Sequence, residues 1–242
     1  MMKRLLVSGI VAMFLLCPAI ALAQSSYTSL FIYGWSKDSQ YWAFVEEGDY
    51  SGGAMVGKTA KIYVINAAKN DFHKTWKKEV SEKTGVQDED KIESGIRAFQ
   101  RDVRRKLKAR GIEKTMGREV YKKRTAQWTE SDTKLRQFGS KRVSFTSGGI
   151  SYEIKLSDEV FPNKDNPWAT KSKFSIAMRR KGGPRKVLQA DKKPWRNFIE
   201  YRIVYVSVSP CGTHAAVLVE AIQNAFENAK ISHYKAVCGK LP

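Results

Sequence analysis

Short runs rich in β-branched and aromatic residues recur along the chain, each closed by turn residues. Leu30 to Trp35, Tyr41 to Val45 and Lys61 to Ile65 read as three strands, the first two joined by Ser36-Lys37-Asp38-Ser39. Near the end, Ile203 to Val208, Ala215 to Glu220 and Ile231 to Val237 repeat the pattern, with Ser209-Pro210-Cys211-Gly212 as the first turn. Aligning the turns matches Ser36 with Ser209, Ala43 with Ala216 and Glu47 with Glu220. Shortening the next loop by four residues then matches Ala60-Lys61-Ile62 with Ala229-Lys230-Ile231. Each unit predicts a three-stranded meander joined by tight turns.

Between the two units the apolar period changes. Ile92, Ile96, Phe99, Val103 and Leu107 fall on one stripe at helical spacing. Asp88, Glu89 and Asp90 suit a helix amino terminus and Gly111 is a natural stop, which predicts a helix over about residues 88–110. Gly95 costs some helicity. Arg142 to Thr146 and Ser151 to Leu156 flank Ser147-Gly148-Gly149 as a hairpin. Lys173 to Arg179 and Lys186 to Gln189 flank Gly182-Gly183-Pro184 as another. The fold expected is mainly β (α+β): antiparallel meanders with one long amphipathic helix inserted. A closed propeller needs at least four blades, and two units separated by a helix do not supply them.

The amino terminus reads as a secretory signal over residues 1–23. Lys3 and Arg4 precede an uncharged apolar stretch from Leu5 to Ile20, and Ala21-Leu22-Ala23 places small residues before a cleavage point at Ala23/Gln24. The apolar stretch is shorter than a membrane-spanning helix requires and is interrupted by Pro18. A lipoprotein attachment at Cys17 fits poorly, because Leu16 stands where a small residue is needed. Residues 24–242 form a single β-rich domain on this reading, secreted or periplasmic, with no later segment apolar enough to span a bilayer. Cys17 leaves with the signal, so Cys211 and Cys238 remain, and in an oxidising compartment a disulfide between them is the expectation. A meander brings its first turn and the end of its third strand to one end of the sheet, within bridging reach.

The net charge is +19 at pH 7, and its distribution matters more than its size. Arg101 to Arg124 holds eleven basic and three acidic residues, and Lys171 to Arg196 holds ten and one. Clustered charge of this kind makes a local field that attracts anions. In the second cluster Arg179, Arg180, Lys181, Arg185 and Lys186 crowd a hairpin tip, with Lys192, Lys193 and Arg196 close by. Trp168, Phe174, Trp195 and Phe198 are interleaved with them. The first cluster contributes Arg104, Arg105 and Lys108 on the outer helix face. Guanidinium donors beside aromatic faces suit phosphates, sulfates or uronates. Nucleic acid is the poorer match for an exported chain without a recognisable nucleic-acid motif. The alternative is that the aromatics are core residues and the lysines a solvated surface.

Groups for catalysis are scarce. His73, His214 and His233 are the only histidines. His214 follows Cys211 by three residues but lacks the separate orienting group of a Cys/His catalyst. No Gly-x-Ser-x-Gly elbow, Gly-Lys-Ser/Thr phosphate loop or His-Glu-x-x-His zinc pair occurs, so no catalytic residue, metal site or cofactor is assigned. Glu46, Glu47 and Asp49 concentrate carboxylates in a loop ahead of Ser51-Gly52-Gly53, which would suit calcium or acid–base work only with a more regular arrangement.

Gly34-Trp35-Ser36, Asp38, Tyr41-Trp42-Ala43-Phe44, Glu47-Gly48 and Lys61-Ile62-Tyr63-Val64-Ile65 together resemble the opening motif of a bacterial family of predicted secreted proteins of unknown function. The helix end Ala109-Arg110-Gly111-Ile112 and the closing Tyr234-Lys235-Ala236-Val237 are similar to that family's middle and end. The strand–turn–strand pattern also resembles the repeats of TolB-type β-propellers, whose Ser-Pro-Asp-Gly turns precede an Ala-Phe strand. Here Lys37 and Ser39 replace the proline and glycine of that turn, and Cys211 replaces its aspartate. The resemblance implies location and architecture and transfers no catalytic residue. The sequence therefore points to a non-enzymatic envelope protein binding an anionic glycan, lipid headgroup or acidic protein. A hydrolase using Asp38, Glu46, Glu47 or Asp49 is one alternative, and an assembly partner with an apolar sheet face is another.

Overall fold

The computed structural model describes residues 27–52, 55–83, 88–113, 117–122, 139–163, 170–224 and 230–242. The signal segment, Gly53, Trp168 and Ala229 lie outside them. Among these residues thirteen strands and one helix follow in chain order: β1 (Tyr27–Trp35), β2 (Tyr41–Gly52), β3 (Met55–Asn66), β4 (Asp71–Lys83), α1 (Glu89–Lys108), β5 (Arg118–Lys122), β6 (Arg142–Ser147), β7 (Ile150–Phe161), β8 (Lys171–Arg180), β9 (Arg185–Ala190), β10 (Trp195–Arg196), β11 (Phe198–Val208), β12 (His214–Asn224) and β13 (Lys230–Lys240). The strands make three antiparallel sheets: β1-β2-β3-β4, then β10-β8-β7-β6 with β9 also on β8, and β13-β12-β11-β5. Among the described residues they form neither a closed barrel nor a propeller. The fold is mainly β with one inserted helix, as the alternation predicts.

The three sheets stack, with the β11–β13 sheet in the middle. One face sends Ile203, Val206, Val208, Val217 and Val219 against Ile154, Leu156, Ile176 and Met178 of the β6–β8 sheet. Its other face sends Val204, Tyr205, Ala216 and Leu218 against Trp35, Trp42, Phe44 and Ile65 of the β1–β4 sheet. The far side of that sheet carries α1, which buries Val103 and Leu107 on Ala43, Val45, Ile62 and Val64. Covered on both faces, the β11 and β12 strands read as nearly continuous apolar runs, Ile203 to Val208 and Ala215 to Val219. Each buried aliphatic side chain contributes about 1.5–3 kcal/mol, so this middle sheet carries much of the core's stabilisation.

The two meanders share hydrogen bonds position by position. Ser36 N–H donates to Tyr41 O at 2.8 Å and Ser209 N–H to His214 O at 2.9 Å. The Ser36 and Ser209 hydroxyls accept from the Tyr41 and His214 amides at 2.9 and 3.0 Å. Ser39 (φ 61°) and Gly212 (φ 72°) occupy matching left-handed positions. The turns meet where Cys211 N–H donates to Ser39 Oγ at 3.2 Å. Trp35 Nε1, buried nearby, donates to Ser207 Oγ at 3.0 Å.

The helix runs from an Asp88 cap, whose side chain accepts from Lys91 N–H at 2.9 Å. It ends in a Schellman pattern: Ile112 N–H reaches Leu107 O and Gly111 N–H reaches Lys108 O, with Gly111 at φ 68°. Gly95 has a packing reason, since a Cβ there would lie 3.1 Å from Val80 Cγ2 on β4. The carboxylate-rich segment after Val45 is not a loop. Its residues continue β2 to Gly52, paired throughout with β3, because Glu46↔Lys61 and Asp49↔Lys58 are cross-strand pairs of opposite charge.

Candidate anion-binding site

The outer face of the β6–β9 sheet is set by strand alternation. On β7, Tyr152, Ile154 and Leu156 point into the core, so Glu153 and Lys155 point out. On β8 the same rule buries Phe174, Ile176 and Met178 and turns Ala177 and Arg179 outward. Register then brings Arg142 opposite Lys155, Glu153 opposite Arg179, and Arg179 opposite Arg185. Ala177 lies between Lys155 on one side and Val187 on the other.

These residues enclose a shallow cavity of about 210 Å³, with Arg142, Lys155, Arg179 and Arg185 around it and Ala177 in its floor. Ala177, 3% exposed, is the apolar residue of the floor, and Val187, 55% exposed and opposite it on β9, adds aliphatic surface beside the cavity. A single carboxylate sits among the four cations. Arg179 Nε and Nη2 donate to Glu153 Oε1 at 3.1 and 3.0 Å, and Arg142 Nη1 lies 3.5 Å from Glu153 Oε2. Lys155 and Arg185 have no ion pair among the described residues. The face therefore keeps a local excess of positive charge, two members of which are free to take a ligand.

The basic positions chosen from the sequence are divided by this geometry. Arg179 and Arg185 line the cavity. Lys186 belongs to the other face, where its Nζ donates to Lys240 O at 3.0 Å, and Arg180 lies opposite Tyr152, whose side chain faces the core. Lys181 is in the turn, its amide donating to Ser151 O. Lys192 and Lys193 are exposed between β9 and β10, and Arg196 lies on β10. Arg105 and Lys108 sit on the outward face of α1 and Arg104 on its flank, where it hydrogen-bonds Tyr33 of β1, all on the opposite side of the stack. With layers about 10 Å apart, the two basic segments are roughly 30 Å from one another and form separate surfaces. On the helix, Asp102 holds Lys106 at 2.6 Å and Arg105 at 3.6 Å, and the space among Arg101, Arg104, Arg105 and Lys108 is bounded by that one helix. Arg142 and Lys155 come from a charge-balanced stretch and escape a reading by charge density. The hairpin register around Ser147-Gly148-Gly149 is the signal that would have found them.

Among the interleaved aromatics, Phe174 is core, while Trp195 and Phe198 lie with Lys235, whose Nζ is 3.3 Å from the Trp195 ring centroid and 5.2 Å from that of Phe198. Burial lowers the Lys235 pKa against the pull of Asp191. This aromatic cluster serves an internal cation and is not part of the cavity.

Cys211 and Cys238 are free thiols, and the expected bridge is not formed. The meander does bring the turn and the end of β13 together, as the His214↔Lys240 pairing shows. Cys238, opposite Ala216, points into the core between the sheets and is 1% exposed, while Cys211 is on the surface turn. Its thiol instead occupies the place of Asp38 in the first unit. Asp38 Oδ1 accepts from Ser36 Oγ at 2.5 Å and from Gln40 N–H at 3.0 Å. Cys211 Sγ lies 3.4 Å from Ser209 Oγ and 2.8 Å from Thr213 Oγ1. Burial pushes the thiol up, but the hydrogen bonds from Ser209, Ser39 and Thr213 outweigh it and bring it down to about 6. The Thr213 hydroxyl is also 2.8 Å from His214 Nδ1 and so stands between the thiol and the imidazole.

The carboxylates of residues 38–49 do not converge. Glu46 and Glu47, being successive strand residues, face opposite sides of their sheet. Burial raises the pKa of Glu46, opposed by Lys61 and by a hydrogen bond from Tyr63 Oη at 3.0 Å. Burial also raises that of Glu47, which accepts from Gln100 on α1. Asp49 pairs with Lys58 at 3.6 Å. The exposed large apolar residues Phe31, Phe72, Val187 and Trp195 belong to four different strands, and Val160 and Phe161 adjoin at the end of β7. No described helix is long and apolar enough to cross a membrane, and no group of three His, Cys, Asp or Glu residues suited to a metal occurs among the described residues.

No protein-family model matches the chain, and no curated protein matches it in sequence.

Proposed function

We propose that this chain is an exported, non-enzymatic protein that binds an anionic component of the cell envelope through the outer face of the β6–β9 sheet. The observation that carries the reading is the convergence of Arg142, Lys155, Arg179 and Arg185 on one aliphatic-floored cavity, from strands whose order the core enforces. Paired strands fix the backbone positions of these cations, so the ordering cost of binding falls on the Lys155 and Arg185 side chains and not on the chain. The charged start, apolar run and Ala21-Leu22-Ala23 of the amino terminus support export.

The test is retention on heparin and on anionic vesicles across a salt gradient. Screening over a length of about 10 Å at 0.1 M salt weakens a surface field of this kind, so retention falls steeply as salt rises. Neutral replacements at Arg142, Lys155, Arg179 and Arg185 together lower the eluting salt far more than replacements at Arg104, Arg105 and Lys108. Elution of the first variant with the parent refutes the site. Recovery of the native protein in the cytosol with residues 1–23 intact refutes the location.

A further inference from the structure

We infer that the ligand of this cavity is a single acidic sugar unit, an oxygen-rich ring bearing one carboxylate, presented by an envelope polysaccharide. The inference rests on the anion-binding reading and narrows it by chemistry. Three features of the cavity act together.

Glu153 is the first. Its side chain is 20% exposed and stays at the centre of the cations, held by Arg179 and Arg142. A carboxylate there repels a second anion placed directly over it, which weakens but does not abolish the hold on a densely charged polyanion such as heparin. It remains a strong acceptor for hydroxyl donors. A ligand with hydroxyls over Glu153 and its negative group to one side satisfies both halves of the cavity.

The floor is the second. Ala177 floors the cavity, and Val187, opposite it on β9, extends an exposed aliphatic edge beside it, close to Lys155 and Arg185, which have no ion pair among the described residues. The C–H face of a pyranose can rest on such a surface, whereas a bare phosphate or sulfate gains nothing from it. Size is the third. At about 210 Å³ the space lies below the roughly 300 Å³ at which pockets for drug-sized ligands begin. That volume suits one ring, with the rest of the chain running on over the open side. In the bound arrangement the sugar carboxylate lies against Arg185 or Lys155 and its hydroxyls donate to Glu153.

The experiment titrates the full-length mature protein with an oligosaccharide of glucuronic acid, with the neutral glucose oligosaccharide of the same linkage and length, and with phosphatidylglycerol vesicles, following amide shifts of β7–β9 and affinity by calorimetry. The uronate oligosaccharide shifts the amides around Ala177 and Val187, and the neutral one binds at least tenfold more weakly. Lys155→Ala with Arg185→Ala reduces uronate affinity at least tenfold. Val187→Lys separates the two chemistries, because it replaces the aliphatic edge of the floor with a cation. It weakens the uronate oligosaccharide and strengthens vesicle binding. Vesicles that bind through this face while the uronate oligosaccharide does not overturn the sugar assignment and leave the anion site standing. Equal binding of the neutral and acidic oligosaccharides also overturns it. Failure of every anion to bind removes both. Folding of each variant is checked by its β-sheet circular dichroism, and a folded Val187→Lys variant that binds both ligands as the parent does refutes the role of the floor.

Discussion

The place of Cys211 in the repeat can be tested through the chemistry of its thiol. The hydrogen bonds that hold the Asp38 carboxylate in the first turn have counterparts around Cys211 Sγ, and they bring the thiol from the ordinary 9.0 down to about 6. A thiol titrating there is about 90% thiolate at pH 7, against about 1% for an unperturbed one. Intrinsic nucleophilicity falls with basicity at a slope of roughly 0.4–0.5, or about 20-fold over this shift, so the net gain at pH 7 is only about fourfold. Above pH 9, where both are thiolates, Cys211 should be about 20-fold slower than a free cysteine. The assay is iodoacetamide alkylation of the folded protein between pH 5 and 10, read by mass spectrometry. Cys238 serves as an internal blank, since it is fully buried and burial pushes its thiol up. The rate should level off above about pH 7, and Thr213→Val should move the inflection upward. Because the folded value is depressed, the thiolate stabilises the fold above the unfolded value near 9, and that contribution is lost as pH falls through about 6. A parent inflection above about pH 8 refutes the argument that this turn is built for a negative charge.

Three further outcomes follow from the packing. Asn70, at φ 53°, joins all three sheets: its side chain donates to Leu188 O and Gln189 Oε1, both at 3.1 Å, and accepts from the buried Cys238 N–H at 2.7 Å. Asn70→Gly keeps the backbone and loses these bonds, and urea unfolding should show a loss of about 2–3 kcal/mol. Gly111→Ala forces a Cβ into the left-handed helix stop and should cost about 1 kcal/mol by the same measurement, with no change in fold. Glu46 is buried and its pKa is raised, so its protonated form favours the fold and stability is lost as pH rises from below the ordinary carboxyl value through the raised one. Glu46→Gln should raise Tm at pH 7 more than at pH 4, and an equal shift at both would contradict that sign.

Local pattern made some elements readable and left others hidden. The helix was legible because its stripe from Ile92 to Leu107, its acidic cap and Gly111 all agree. Both meanders were legible because their turns carry the same serine at the same position. The strand β4 was not, since Lys74, Lys77, Lys78 and Glu79 make it look like a loop. It is an edge strand packed mainly through Trp76 and Val80, and its charges guard an exposed edge. The segment from Glu46 to Gly52 was likewise hidden, because its pairing with Met55 to Lys61 supplies the order that its own residues lack. The buried pair of Arg202 and Glu220, facing one another in register on the middle sheet, has no local signature at all. Arg202 is held by Glu200 at 2.6 and 2.5 Å, and Glu220 by Ser232 at 2.6 Å.

Residue order decided the type of each periodic element, the serine shared by the two turns and the concentration of positive charge, because these depend on neighbours within a few positions. The stacking of the sheets belonged to packing between distant segments. That stacking set the charged helix roughly 30 Å from the charged hairpin by adding layer upon layer. It turned Arg142 and Lys155 toward Arg179 and Arg185, and it sent Cys238 into the core away from Cys211. Register across strands far apart in the chain fixes which side chains share a face, and no local pattern carries that information.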